Sequence, residues 1–256
     1  MRIATWNVNS LLARLPRVEE WIDYARPDVL CMQETKLVDS AFPSMAFSAL
    51  GYESASHGEG RWNGVAVVSR VGIDDVVRGF GGSADDQGAR LMAATCGGVR
   101  VHSVYVPNGR EVGSEHYEAK LAWLSELRAY LARTCKPTDE VAVCGDFNVA
   151  PEDRDVWDPA AFAGATHVTV PERSALRELE EWGLVDSFRL RYSESQLFTW
   201  WDYRAGNFHK HMGLRIDLVM LSRPLAERVT YALVDRNARK GKQPSDHAPV
   251  LVDIDG

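Results

Sequence analysis

The stretch Val141-Ala-Val-Cys-Gly-Asp-Phe-Asn-Val-Ala-Pro151 sets an apolar run directly against an acid and an amide. Its apolar residues, Val141 to Cys144, are bounded by charge on one side and glycine on the other, which predicts a short strand buried on both faces. Gly145 would let a ligand approach the backbone closely where that strand stops. Asp146 and Asn148 are two apart, so an extended chain points both side chains the same way, and Pro151 forbids further strand pairing. A carboxylate beside a carboxamide at the mouth of a buried strand suits an oxyanion centre with a bound metal. One group coordinates or accepts protons while the other donates hydrogen bonds. The same residues also suit a plain Asp-Asn turn closing a strand, so the remainder of the chain has to decide.

Before this strand, Leu121, Leu124, Leu127 and Leu131 recur at helical spacing after Ser114. Gly64 to Ser69, Arg90 to Cys96 and Val99 to Val106 read as strands, the last two joined by Gly97-Gly98, a hairpin signal that brings in antiparallel pairing. The chain opens on a strand, Arg2 to Val8. A helix follows in which Leu15, Val18, Trp21, Ile22 and Ala25 share a face until Pro27, and Asp28 to Gln33 is the next strand, with Glu34 at its end. Later, Glu172 to Trp182 predicts a helix closed by Gly183, and Leu197 to Trp201, Arg215 to Ser222, Val229 to Val234 and Ala248 to Ile254 predict strands. Such β segments interleaved with amphipathic helices fit an α/β fold of two mixed β-sheets packed face to face with helices outside. No repeat, linker or low-complexity tract divides residues 1–256, so one domain is expected.

With 45% hydrophobic residues over 256 positions, the chain can bury a large core. No stretch is long and uncharged enough to span a bilayer, and Met1-Arg-Ile-Ala-Thr-Trp6 runs straight into a strand pattern, unlike a signal peptide. The expected location is the cytoplasm. Cys31, Cys96, Cys135 and Cys144 lie far apart with no C-x-x-C pair, which argues against a zinc site or a disulfide framework. A net charge of −7 argues against nonspecific coating of nucleic acid but leaves room for a local basic face. The segments Arg204 to Arg215 and Arg236 to Lys242 offer either such a face or ordinary solvated charge.

Several predicted strands stop on a residue able to handle metal or phosphate: Asn7, Glu34, Tyr105, Asp146 with Asn148, Asp217, and Asp246 with His247. Each has a plain structural explanation: Asn7 as a turn residue, Glu34 as a helix N-terminal acid, Tyr105 as a core aromatic, Asp217 as the partner of Arg215, Asp246 as a turn cap, His247 as a satisfied structural histidine. Strand ends gather at one edge of a sheet, however, so residues remote in sequence converge there, and it is the conjunction that points to chemistry.

Seven segments carry a wider resemblance: Thr5-Trp-Asn-Val-Asn9, Met32-Gln-Glu-Thr-Lys36, Trp62-Asn-Gly-Val-Ala66, Tyr105-Val-Pro-Asn108, Gly145-Asp-Phe-Asn-Val-Ala-Pro151, Gly213-Leu-Arg-Ile-Asp217 and Ser245-Asp-His-Ala-Pro-Val250. In order and over the whole chain they resemble exodeoxyribonuclease III and the abasic-site endonucleases of the endonuclease/exonuclease/phosphatase superfamily. Gly-Asp-Phe-Asn and Ser-Asp-His are shared across that superfamily. Tyr105-Val-Pro-Asn, Thr199-Trp-Trp-Asp-Tyr203 and Gly-Leu-Arg-Ile-Asp point to its DNA-repair branch.

The resemblance implies a four-layered α/β sandwich with a metal site between the two sheets at one edge. Under it, Glu34, helped by Asn7 and Asp246, holds Mg2+, with Mn2+ as an alternative. Asp146 and Asn148 position or activate the attacking water, and Asp217 orients His247, which contacts the scissile phosphate. Tyr105 and Asn108 donate to the phosphate oxygens. Trp200 and Leu214 wall a pocket for a sugar without its base, and Arg90 belongs to the substrate-binding set. The implied substrate is double-stranded DNA with abasic sites or 3′ ends, cleaved by a monomer. Two departures concern DNA contacts: His211 stands where many relatives carry asparagine, and the segment 81–88 is short. Two other readings stand beside this one, a superfamily phosphatase or phosphodiesterase on a non-DNA substrate, and a catalytically silent DNA-binding homologue. Tyr105, where relatives of deoxyribonuclease I type commonly place a histidine, speaks against the first. Retention of Asn7, Glu34, Tyr105, Asp146, Asn148, Asp217 and His247 speaks against the second.

Overall fold

The computed structural model describes residues 1–81 and 88–256. The first half of the chain runs β1 (Arg2–Asn7), α1 (Leu11–Ala25), β2 (Val29–Gln33), α2 (Ser44–Ala49), β3 (Glu53–His57), β4 (Val65–Ser69), β5 (Asp74–Arg78) and β6 (Leu91–Cys96). The second half runs β7 (Val99–Tyr105), α3 (Glu115–Thr134), β8 (Val141–Asp146), α4 (Val170–Trp182), β9 (Leu184–Asp186), β10 (Asp217–Ser222), α5 (Arg223–Ala226), β11 (Val229–Val234) and β12 (Val250–Ile254). These strands form two six-stranded sheets, ordered β11-β12-β1-β2-β4-β3 and β5-β6-β7-β8-β10-β9. Each has one parallel pair at its centre, β1 with β2 and β7 with β8, and antiparallel neighbours on both sides. The two halves therefore follow the same path although their sequences show no repeat. Each gives its last hairpin to the other's sheet: β5–β6 flanks β7, and β11–β12 flanks β1.

Alternation along the central strands explains the layers. Ile3, Cys31 and Val67 face Met92, Ala142, Cys144 and Val219 in the core between the sheets. Their outward neighbours Ala4, Leu30 and Val68 pack with Val18, Trp21 and Ile22 of α1. On the far side, Val104 and Val143 pack with Leu124 and Leu127 of α3 and Leu176 and Leu179 of α4. The result is helix, sheet, sheet, helix, the four-layered sandwich. Each large apolar side chain withdrawn from water in this way contributes roughly 1.5–3 kcal/mol. No described helix is long and apolar enough to cross a membrane.

Several local expectations need correction. Gly145 admits no ligand: a Cβ there would lie 1.9 Å from the Val104 carbonyl oxygen of neighbouring β7, so the close approach it permits is strand to strand. Asp146 and Asn148 do not share an extended face either, because Asn148 has φ 51 and its N–H bonds to Asp146 Oδ1 at 2.9 Å in a tight Asx turn. Leu197 to Trp201 is not a strand; Trp200 forms isolated bridges to Leu214 and to His247, lying across strand ends. Strands β3, β5 and β9 escaped the apolar pattern since all three lie at or next to solvent on sheet edges. Helix α4 begins at Val170, two residues before Glu172, where Thr169 and Glu172 form a capping box. The short segment 81–88 falls largely on residues 82–87, outside the described residues.

Arg215 is buried and pairs with Asp155 (Nε to Oδ1, 2.6 Å) and Asp186 (2.8 Å), and Arg189 also bonds to Asp155. The expected alternative partner, Asp217, is thereby left free for the site. Burial opposes the Asp155 charge, but the Arg215 and Arg189 guanidiniums hold its carboxyl below the usual aspartate range. A depressed carboxyl stabilises the fold above its unfolded pKa and loses that contribution as pH falls through the folded one. Asp155→Asn should cost about 3–5 kcal/mol at neutral pH by leaving a buried guanidinium under-compensated. In urea denaturation the gap between wild type and variant should shrink as the pH is lowered; a gap independent of pH would refute the assignment.

Candidate active site

The C-terminal ends of β1, β2, β7 and β8 meet at one edge of the sandwich, where β10 begins and the chain enters β12. Asn7, at the end of β1, donates from Nδ2 to Glu34 Oε1 (2.8 Å) and to Asp146 Oδ2 (3.0 Å), so one amide joins the two sheets. Glu34 sits at φ 52, just past β2. Asp217 opens β10 opposite Asp146 and holds His247 Nδ1 between its oxygens at 2.9 and 3.0 Å. The other imidazole nitrogen, Nε2, faces Asp146 Oδ2 at 3.8 Å. Glu34, Asp146 and His247 place their ligand-type atoms within 4.8 Å of one another.

Charge is concentrated here. Burial raises the Asp146 carboxyl above the usual range, with Asp217 adding to the rise and His247 opposing it. Burial works against charge on His247, yet Asp217 beside it and Asp146 beyond raise its pKa to about 10. Burial, together with the charges of Glu34 and Asp146, likewise keeps the Tyr105 phenol protonated. Arg90 lies over the Tyr105 ring, 4.6 Å from its centroid, and partly offsets that negative field. Asn148 donates to the Val106 carbonyl (2.9 Å) and accepts from Asn108 Nδ2 (3.2 Å). Glu34, Tyr105, Arg90 and Asn108 line a groove of about 740 Å3, shared with Trp62 and Lys36.

Two of the expected residues reach the centre less directly. Asp246 accepts from Asn9 Nδ2 (2.9 Å) on one oxygen and from Trp200 Nε1 (3.0 Å) on the other, so it supports neighbours rather than joining the three-residue cluster. Leu214 is fully buried and packs with the partly exposed Trp200, whose ring centroid lies 6.4 Å from that of His247. Trp200 thus borders the site with Leu214 supporting it. The basic clusters are partly committed internally: Arg236 and Arg239 lie over the Phe208 ring at 4.3 and 4.8 Å, and Arg239 donates to the Ser245 carbonyl. His211 takes φ 58, a conformation asparagine also tolerates, and contacts the Gln196 carbonyl through Nε2 at 2.9 Å.

Other contributors were not foreseen. Lys36 pairs with Glu34 (2.9 Å) and bonds to Asn9 Oδ1. Thr199 Oγ1 accepts the N–H groups of Ile216 (3.0 Å) and Asp217 (3.1 Å), which fixes the start of β10. Ser245 Oγ donates to the Asn7 carbonyl (2.6 Å) and accepts the His247 N–H (3.2 Å), tying β1 to the histidine. Thr199 and Ser245 do lie inside motifs quoted above, but a hydroxyl's backbone partners leave no spacing signal.

Carboxylates crowded in this way suit a hard divalent cation, since the site holds more acids than cations and no thiolate. Glu34 and Asp146, with Asn7 between them, would hold it. With divalent ions chelated, the His247 carbon resonances should report an imidazolium through neutral pH. Because its raised pKa depends on Asp217, Asp217→Asn should let burial prevail and bring the titration below the ordinary value of about 6.5. Titration near that value in both proteins would exclude the dyad.

The profile described as the Endonuclease/Exonuclease/phosphatase family matches residues 4–247. The chain is 32% identical to exodeoxyribonuclease III of Haemophilus influenzae over 269 residues, covering 99% of this chain and 100% of that protein. Among solved structures it is similar to an AP endonuclease from Archaeoglobus fulgidus, at TM-score 0.97 and 36% identity with both chains covered in full. It is also similar to the 3′-5′ exonuclease NExo from Neisseria meningitidis, at TM-score 0.95 and 37% identity, again over 100% of both chains. NExo has also been solved as a 3′ phosphatase bound to product DNA hairpin. With profile, fold and strand-end residues in agreement, the chain belongs to the endonuclease/exonuclease/phosphatase family.

Proposed function

We propose that the chain is a Mg2+-dependent DNA-repair nuclease that hydrolyses phosphodiesters 5′ to abasic sites and removes nucleotides or blocking groups from 3′ ends, leaving 3′-hydroxyls. The observation that carries this reading is the convergence of Glu34, Asp146 and His247 beside Asn7, with Asp217 buried behind the imidazole. Asp146 takes the proton of the attacking water. His247, kept charged by Asp217, donates to a phosphoryl oxygen, and the Tyr105 hydroxyl donates to another. Asn148 aligns the water, and Asn108 contributes a further amide at the phosphate. Glu34 and Asp146, with Asn7 between them and Asp246 behind Asn9, would hold a divalent cation, which would supply Lewis-acid neutralisation of the charge developing on phosphate and leaving O3′. Mn2+, also hard and oxygen-seeking, should substitute.

Trp200, supported by Leu214, walls the pocket for the baseless sugar, and Arg90 contacts the DNA backbone from the groove. The named activities of NExo, 3′-5′ exonuclease and 3′ phosphatase, favour a second emphasis within this reading, in which processing of 3′ ends outweighs incision at abasic sites. The acting unit is a monomer, and its reading as one domain is supported by the core that the two sheets share. All four cysteines are free, which supports a reducing, cytoplasmic setting.

The experiment is product mapping on a duplex with one abasic site beside an undamaged duplex with a recessed 3′ end. Chelation should abolish cleavage of both, Mg2+ should restore it better than Zn2+, and Glu34→Gln should raise the Mg2+ requirement strongly. Wild-type turnover in chelator would overturn the metal role. Asp146→Asn and His247→Asn should each slow turnover by about 10²-fold or more. Changing Asp217 together with His247 should cost much less than the product of the single effects. Trp200→Ala should lower abasic-site cleavage by roughly 1–3 kcal/mol while salt-dependent binding to intact duplex persists. Unchanged selectivity in that variant, with the fold intact, would assign Trp200 to packing alone.

A further inference from the structure

Behind the site lies a buried ion pair that none of the chemistry above uses. Lys120, on α3, and Glu172, on α4, are both fully buried and pair through Nζ and Oε1. The ammonium also donates to the backbone carbonyl of Asn148 at 2.6 Å, to that of Asn108 at 3.3 Å and to Thr166 Oγ1 at 3.3 Å. Glu172 in turn accepts the Thr166 hydroxyl (2.7 Å), the His167 N–H (2.9 Å) and the Thr169 N–H (3.0 Å). The two carbonyls held by one ammonium belong to the two residues whose side-chain amides stand in the site.

Both turns need holding. Asn148 is in the left-handed region at φ 51, and Asn108 precedes Gly109 at φ 86. A Cβ at Gly109 would lie 2.9 Å from Lys120 Cδ and from Thr166 Oγ1, so this turn rests directly on the pair. His167 Nδ1 makes a second contact to the Asn148 carbonyl at 2.6 Å, while its own carbonyl accepts the Ala150 N–H at 2.8 Å. A buried ion pair is an inefficient way to stabilise a fold, since apolar replacements of similar volume are often as stable or more so. What an ammonium offers instead is several donors radiating from one point.

We infer that Lys120 and Glu172 are positioning residues for hydrolysis: they clamp the backbone of Asn108 and Asn148 from beneath and so fix the amides that meet the water and the phosphate. The inference rests on the phosphodiesterase reading of the site. A misplacement of about 1 Å at such groups costs on the order of 10²-fold in rate.

The test compares the full chain with the charge-neutral double variant Lys120→Met/Glu172→Gln, with Asn148→Ala, and with the triple variant. Steady-state kinetics on the two duplexes are paired with hydrogen exchange at the amides of Val106, Asn148 and Ala150. The double variant should lose about 10- to 100-fold in kcat with little change in KM, and the three amides should exchange faster while those of β8 do not. Because much of the clamp acts through Asn148, adding the double change to Asn148→Ala should slow turnover by clearly less than the double change slows the wild type. Wild-type kcat in the double variant, or losses that multiply in the triple, would overturn the inference. If the wild type cleaves neither duplex, the nuclease proposal fails. The exchange rates then decide the clamp by themselves, and unchanged rates reject it. Should the double variant not fold, Thr166→Val, which removes one hydroxyl from the pair and keeps both charges, carries the same readouts at smaller amplitude.

Discussion

One amide nitrogen spans the gap between the sheets: Asn7 Nδ2 meets Glu34 from its own sheet and Asp146 from the other. Two carboxylates brought this close repel, and without a donor between them the edges of the sandwich would tend to part or one acid would be neutralised. Much of the surrounding structure manages that repulsion. Lys36 pairs with Glu34, His247 faces Asp146, and Asn9 braces both Asn7 and Asp246. A hard divalent cation would complete the same balance.

The central strands, and the convergence of the candidate residues at their ends, were legible because burial on both faces leaves continuous apolar runs, and a polar residue ending such a run stands out. Edge strands were illegible for the opposite reason. Glu53-Ser-Ala-Ser-His57 pairs on one side only, and its sequence records solvent rather than register. The segment around Trp200 looked like a strand because its aromatic residues are buried, but they are buried against other loops. Asp217 was open to two readings until Arg215 was seen to pair with Asp155 and Asp186, acids distant in sequence. Lys120 did leave a trace. It stands one turn before Leu124 on the apolar face of α3, and Thr169-Val-Pro-Glu172 is a capping-box pattern. Neither trace names its partner, because a pairing between two helices leaves no local spacing.

The two halves of the chain, alike in path, contribute unlike chemistry at matching places. The ends of β1 and β2 bring Asn7 and Glu34, and the ends of β7 and β8 bring Tyr105 and Asp146. A parallel strand pair joined by a helix delivers two strand ends to the same edge, and packing two such pairs face to face doubles the number of polar groups that converge. The fold thus collects residues from four strand ends at one edge. Loops such as the one carrying Trp200 then decide what else fits.

The exchange of hairpins between the halves has a consequence for synthesis. Strand β1 pairs with β12, and the Trp6 indole bonds to the His247 carbonyl across 241 positions of sequence. On the ribosome, β1 therefore has no β12 neighbour until the second half has been made. The imidazole arrives only as the second half is being finished. A nascent chain holding Glu34, Tyr105 and Asp146 still lacks the histidine opposite Asp146, so the step that completes this sheet also completes the cluster at its edge.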